Sequence, residues 1–173
     1  FSCDCSGCVC IDPTPAPTVS AMPTPYVIEW TTHTITTSAD GARSVFGIDV
    51  DGDGDVDALS ASYTDDTIAW YKNVDGSGAT WTTYTITTSA DYAFSVFGID
   101  VDGDNDVDAL SASVNDDTIA WYENADGSGN TWTTHTITNS ADGARTVFAI
   151  DVDGDGDVDA LSASLNDDTI AWH

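Results

Sequence analysis

The sequence predicts an all-β fold: a propeller-like array of three four-stranded antiparallel blades, with an amino-terminal strand completing a blade in cis or in trans. Three observations predict it. The phrase DGDGDVDAL or DGDNDVDAL begins at Asp51, Asp102 and Asp153, a period of 51 residues. Self-similarity on that scale marks units that bury their cores only against neighbours. Between the acidic phrases, stretches such as WTTHTITTS are β-branched and lack helical apolar spacing, and Gly, Asp and Asn punctuate them at short intervals. Finally, the strand count is complementary: the chain shows one lone strand at the front and one strand too few in the last repeat.

In chain order, residues 1–12 (FSCDCSGCVCID) form a Cys-rich segment holding Cys3, Cys5, Cys8 and Cys10, the only cysteines in the sequence. In an acidic secreted chain two disulfides are favoured over a four-thiolate zinc site, with pairing inside or between chains left open. Residues 13–25 read as an extended linker, because alternating prolines fix the backbone torsion and remove amide donors. Its Thr14, Thr18, Ser20 and Thr24 suit O-linked glycans, and no Asn-x-Ser/Thr sequon occurs.

Residues 26–173 hold the three repeats, at about 26–81, 82–132 and 133–173. A lone strand is expected over 27–37, followed in the first repeat by strands at 44–50, 56–62, 67–72 and 80–88. The first of these four, SVFGIDV, is apolar on both faces and needs cover on both. The second, DALSAS, carries small side chains that let a neighbouring sheet come close. The third brings Ile68 and Trp70 to one face, and Asp75-Gly76 turns it into the fourth as a hairpin. Completion of the incomplete repeat by the lone strand of another molecule would yield rings or filaments.

Charge is concentrated in the repeats. Three Lys and Arg against thirty Asp and Glu leave −27 at pH 7, a surface that repels nucleic acid and anionic membranes. Each repeat packs five aspartates into nine residues: Asp49, Asp51, Asp53, Asp55 and Asp57, then Asp100, Asp102, Asp104, Asp106 and Asp108, then Asp151, Asp153, Asp155, Asp157 and Asp159. Carboxylates about 5 Å apart repel by about 3 kcal/mol at an effective dielectric near 20, so these loops call for a cation. The spacing Asp49-x-Asp51-x-Asp53-Gly54-x-x-Asp57 matches the first part of an EF-hand-type loop, with oxygens at positions 1, 3 and 5 and a glycine for the sharp turn at 6. Oxygen-rich ligation favours Ca2+ over Mg2+, at about three ions per chain. In the second copy Asn105 replaces the glycine, and Asn tolerates the left-handed conformation needed there.

The segment VFGIDVDGDGDVDAL, its two copies and the trailing TIAWY or TIAWH segments resemble the FG-GAP or VCBS repeat family, calcium-binding propeller repeats also found in integrin α-subunit heads. The resemblance implies a loop between the first two strands of each blade that holds calcium through the first, third, fifth and ninth side chains. It also implies a seventh-position carbonyl, here that of Asp55, Asp106 and Asp157. The chain departs from the family at Asn105, at Ala149 in place of a glycine, and in showing three repeats where the family usually closes seven blades.

Other residues read as scaffold. His33 and His135 align with Tyr84, and His173 with Tyr71 and Tyr122, an exchange no general base tolerates. Arg43 and Arg145 align with Phe94. The pairs Asp65-Asp66, Asp116-Asp117 and Asp167-Asp168 read as turn formers, since adjacent carboxylates on a turn point apart. The tryptophans, two per repeat, suit packing between blades.

The expected protein is therefore not an enzyme. It is an extracellular or cell-surface, secreted, calcium-binding structural or adhesive repeat protein that self-associates into a homo-oligomer, filament or array. No apolar run is long enough for membrane insertion, and no leader is present, as in a secreted chain whose signal has been cut off. The alternative is a lectin or adhesin head binding glycans or cell-surface proteins, or a fragment of a longer surface protein.

Overall fold

A computed structural model describes residues 27–173. The Cys-rich segment and the linker, with Cys3, Cys5, Cys8, Cys10, Thr14, Thr18, Ser20 and Thr24, lie outside the described residues. The chain divides into two units, Phe1–Thr32 and His33–His173. Among the described residues of the first, no strand forms, and Val27, Ile28 and Trp30 are exposed.

The second unit is three antiparallel sheets. The first contains β1 (Ala42–Ile48), β2 (Asp57–Ser62), β3 (Thr67–Asn73) and β4 (Trp81–Thr87) in that order. The second repeats it with β5 (Ala93–Ile99), β6 (Asp108–Ser113), β7 (Thr118–Asn124) and β8 (Trp132–Thr138). The third has β9 (Ala144–Ile150), β10 (Asp159–Ser164) and β11 (Thr169–Trp172), with β10 central. Register is the same in the first two sheets, Phe46 facing Leu59 and Leu59 facing Trp70 as Phe97 faces Leu110 and Leu110 faces Trp121.

The sheets stack face to face. β5 packs on β1 and β2, and β9 packs on β5 and β6, so each repeat is covered by its sequence neighbour. Every residue of the DALSAS strands β2 and β6 is buried, as small side chains between two sheets should be. One core joins Leu59, Ile68 and Trp70 of the first sheet to Ala93 and Val96 of the second, and the next joins Leu110 and Ile119 to Val147 and Ala149 of the third. Phe46, Phe97 and Phe148 form a ladder through the stack with ring centroids 4.6 and 4.5 Å apart. Gly98 lets β5 approach closely, since a Cβ there would lie 2.8 Å from Leu59 Cδ1. Ala149 stands at the matching place in the third sheet and is buried against the Leu110 cluster, so a methyl is accommodated there.

Two expectations are corrected. The lone strand expected over 27–37 does not form in the single chain, because an extended segment without a ladder partner leaves its amides and carbonyls unpaired. The first strand of the first repeat runs from Ala42 to Ile48 rather than 44–50. Its end is drawn into the loop, where the Val50 amide donates to Asp57 Oδ2 instead of a strand neighbour.

Candidate metal centres

Each loop between the first and second strands of a sheet is tied by its own aspartates. The first residue of the motif accepts two backbone amides: Asp49 from Gly52 (2.9 Å) and Gly54 (2.8 Å), Asp100 from Gly103 (2.7 Å) and Asn105 (2.9 Å), Asp151 from Gly154 (2.6 Å) and Gly156 (3.1 Å). These bonds need a left-handed residue at the sixth position. Gly54 and Gly156 supply φ of 93° and 98°, and Asn105 takes 75°. The fifth residue closes the next step, with the amides of Asp55, Asp106 and Asp157 donating to Asp53, Asp104 and Asp155.

The ninth residue anchors the loop to the sheet. Asp57 accepts from Val50 (3.0 Å) and Asn73 (2.8 Å), and Asp108 from Val101 (3.0 Å) and Asn124 (2.8 Å). Both carboxylates are buried, and burial pushes both pKa values up despite these amide donors. Asp159 accepts from Val152 at 2.8 Å.

Carboxylate oxygens converge in all three loops. Asp49, Asp51 and Asp53 each bring an oxygen within 4.8 Å of the others, as do Asp100, Asp102 and Asp108, and Asp151, Asp153 and Asp159. The first, third, fifth and ninth positions thus contribute, although no one loop gathers all four in these triads. Asp55 and Asp106 point instead at the glycines Gly76 and Gly127 of the hairpin turns, which leaves only their backbone carbonyls for an ion.

The loops are not electrically alike. Lys72 on β3 places its ammonium on Asp51 Oδ2 and 2.9 Å from Asp53 Oδ2. That hydrogen bond to Lys72 holds the Asp53 carboxyl below the usual range. The place of Lys72 is taken in the second sheet by Glu123. Desolvation pushes Asp102 up, and the charges of Asp104, Glu123 and Asp100 push the same way. The unequal partners were visible in the sequence as Lys72 against Glu123, but only the fold brings position 72 over the loop.

The fold also shows what the scaffold residues do. His135 stacks on Trp121 as Tyr84 stacks on Trp70, and His173 reaches Ser162 as Tyr71 and Tyr122 reach Ser60 and Ser111. Arg43 and Arg145 sandwich Phe94. Asp66 and Asp117 take left-handed φ near the turn, and each also accepts two amides from the next repeat: Asp66 from Ala90 and Tyr92, Asp117 from Ala141 and Gly143. Sequence reasoning missed this clamp between sheets, whose signal was the fixed offset between each DD pair and the following SAD or SADY.

No helix among the described residues is long and apolar enough to cross a membrane. A comparison with curated proteins finds none that matches. Residues 49–111 and 100–162 each match the FG-GAP-like repeat, two overlapping registers that together take in all three acidic loops. With that match spanning most of the chain and the loop geometry repeated in each sheet, the protein belongs to the FG-GAP-like repeat family.

Proposed function

We propose that this chain is an extracellular, calcium-binding structural or adhesive protein whose repeats act as propeller-like blades and whose role is architectural rather than catalytic. Three convergent carboxylate clusters, one per sheet, carry the reading. The donors fit a hard cation: all are oxygens, the loops turn at a left-handed Gly54, Asn105 or Gly156, and among the described residues Asp51 Oδ1 is buried without a hydrogen-bond partner. In the first loop Asp49, Asp51 and Asp53 would hold the ion with the Asp55 carbonyl, and Asp57 would fix the loop to the sheet. Bound calcium supplies charge neutralisation. The chain's own part is to present oxygens on loops already closed by backbone hydrogen bonds, so that little ordering entropy remains to be lost on binding.

The stacking of sheets supports assembly into a filament or surface array, and about three bound calcium ions would lower the −27 charge that holds copies apart. The test is a thermal melt with electron microscopy, in calcium and in EDTA. Calcium should raise Tm and favour particles longer than one chain, by mass-action stabilisation of the folded state. An identical Tm in both conditions would remove calcium from the reading.

A further inference from the structure

Residues Trp30–Thr36 read WTTHTIT, identical to β8, Trp132–Thr138. β8 is the fourth strand of the second sheet, yet the same seven residues form no strand where they stand. Among the described residues the third sheet has three strands and none pairs with the outer edge of β11, where Ile170 is 78% and Trp172 52% exposed. Resting on the reading of the chain as an assembling array, we propose that residues 30–36 of one copy add to the β11 edge of a second copy as its fourth strand.

The register follows from β7 and β8, where Ile119 faces Thr138, Ala120 faces Thr136, Trp121 faces His135 and Tyr122 faces Thr134. Carried over by the repeat, Ile170 faces the partner's Thr36, Ala171 its Thr34, Trp172 its His33 and His173 its Thr32. His33 then stacks on Trp172 as His135 stacks on Trp121.

The connection onward also fits. From the last residue of β4 to the first of β5, and from β8 to β9, the chain takes six steps, Thr87 to Ala93 and Thr138 to Ala144. Thr36 to Ala42 is the same six. The donor's first sheet would therefore land on the acceptor's third sheet as β5 lands on β1. The partners for that landing are in place. Ser44 and Ser95 accept from the amides of Val96 and Val147, and Thr146 offers the next hydroxyl to a partner's Val45. Asp168, in the same left-handed turn as Asp66 and Asp117, matches the partner's Ala39 and Gly41 amides as Asp117 matches Ala141 and Gly143. Phe148, 45% exposed, would extend the ladder to the partner's Phe46. Thr36 and Ala39 already line a groove with Tyr71 as Thr87 and Ala90 line one with Tyr122, so residues 33–39 lie against the first sheet in the manner of the end of a preceding fourth strand.

The same chain cannot make this contact. From β1 to the outer edge of the third sheet is two sheet spacings and three strand spacings, about 25 Å, whereas six extended residues reach about 20 Å. The Trp121 indole N–H sits buried near Asp108 without hydrogen-bond geometry, while its counterpart Trp70 donates to the hairpin of the following sheet. Chain entering beside β11 brings backbone acceptors toward that position.

Two singly substituted full chains, Thr34→Cys and Ala171→Cys, are mixed in calcium and oxidised, and peptides are mapped by mass. A 34–171 disulfide between copies is expected, with Thr32→Cys giving at least tenfold less link to 171. A synthetic peptide of residues 27–37 in excess should shorten the assemblies. Assemblies that form without the 34–171 link, or ignore the peptide, overturn strand donation while leaving self-association standing. A chain that stays monomeric at all concentrations overturns it as well, together with the assembly reading.

Discussion

Trp70 lies on β3 of the first sheet and Gly129 in the hairpin between β7 and β8 of the second, and the Trp70 indole Nε1 donates to the Gly129 carbonyl across 3.0 Å. The glycine has φ of 72°, and a Cβ there would fall inside contact distance of the Trp70 ring. A hydrogen bond, a backbone conformation and a steric limit thus coincide at one point of the first interface.

Gly129→Ala should therefore cost about 2–4 kcal/mol, summing left-handed strain and overpacking. Gly78→Ala is the control. Its φ is 76°, but its nearest neighbour is Trp81 at 3.8 Å, so it should cost only about 1 kcal/mol of strain. Urea unfolding of both variants checks this, and equal losses would show that the close approach to Trp70 is without effect.

Lys72 should act as a built-in competitor for the first loop. Lys72→Glu, which reproduces the second sheet's Glu123, should strengthen calcium binding at the weakest site by about tenfold or more and lower Tm in EDTA. Calorimetric titration reads both the affinity and the number of ions. Glu123→Lys should do the reverse to the second loop.

Without metal, stability should rise as pH falls from 7 toward 4. Asp57, Asp102 and Asp108 have raised folded-state values, so their folded forms take up protons before their unfolded forms do. The stabilisation is complete near the unfolded value of 3.8 and is lost as pH rises through the folded ones. Below 3.8 the order reverses, because Asp53 and Asp126 are held low and lose their partners on protonation. In calcium the slope above pH 4 should invert, since protons and metal compete for the same oxygens. Melts in EDTA and in calcium across pH 3.5–8 separate the two regimes.

The repeat period and strand types were legible because each unit carries its own turn residues: Asp75 caps the hairpin through the Ser77 and Ala79 amides, and Gly54 or Asn105 sets the loop. The loops were legible for the same reason, their bonds being local. What lay hidden is long-range. Ala90 meets Asp66 and Asn124 Nδ2 meets the Val50 carbonyl 74 residues away, both set by stacking, and Lys72 meets Asp51 through the pairing of strands within its own sheet. The fate of residues 27–37 was illegible for the opposite reason, since strand propensity does not say whether an edge is within reach.

In the ring ladder Phe97 meets Phe46 on one side and Phe148 on the other, one ring from each neighbouring repeat. Growth by duplication is then cheap: inserting or deleting a 51-residue cassette leaves every surviving ring with the same kind of neighbour. Repeat number becomes a quantity that recombination can vary without redesigning any interior.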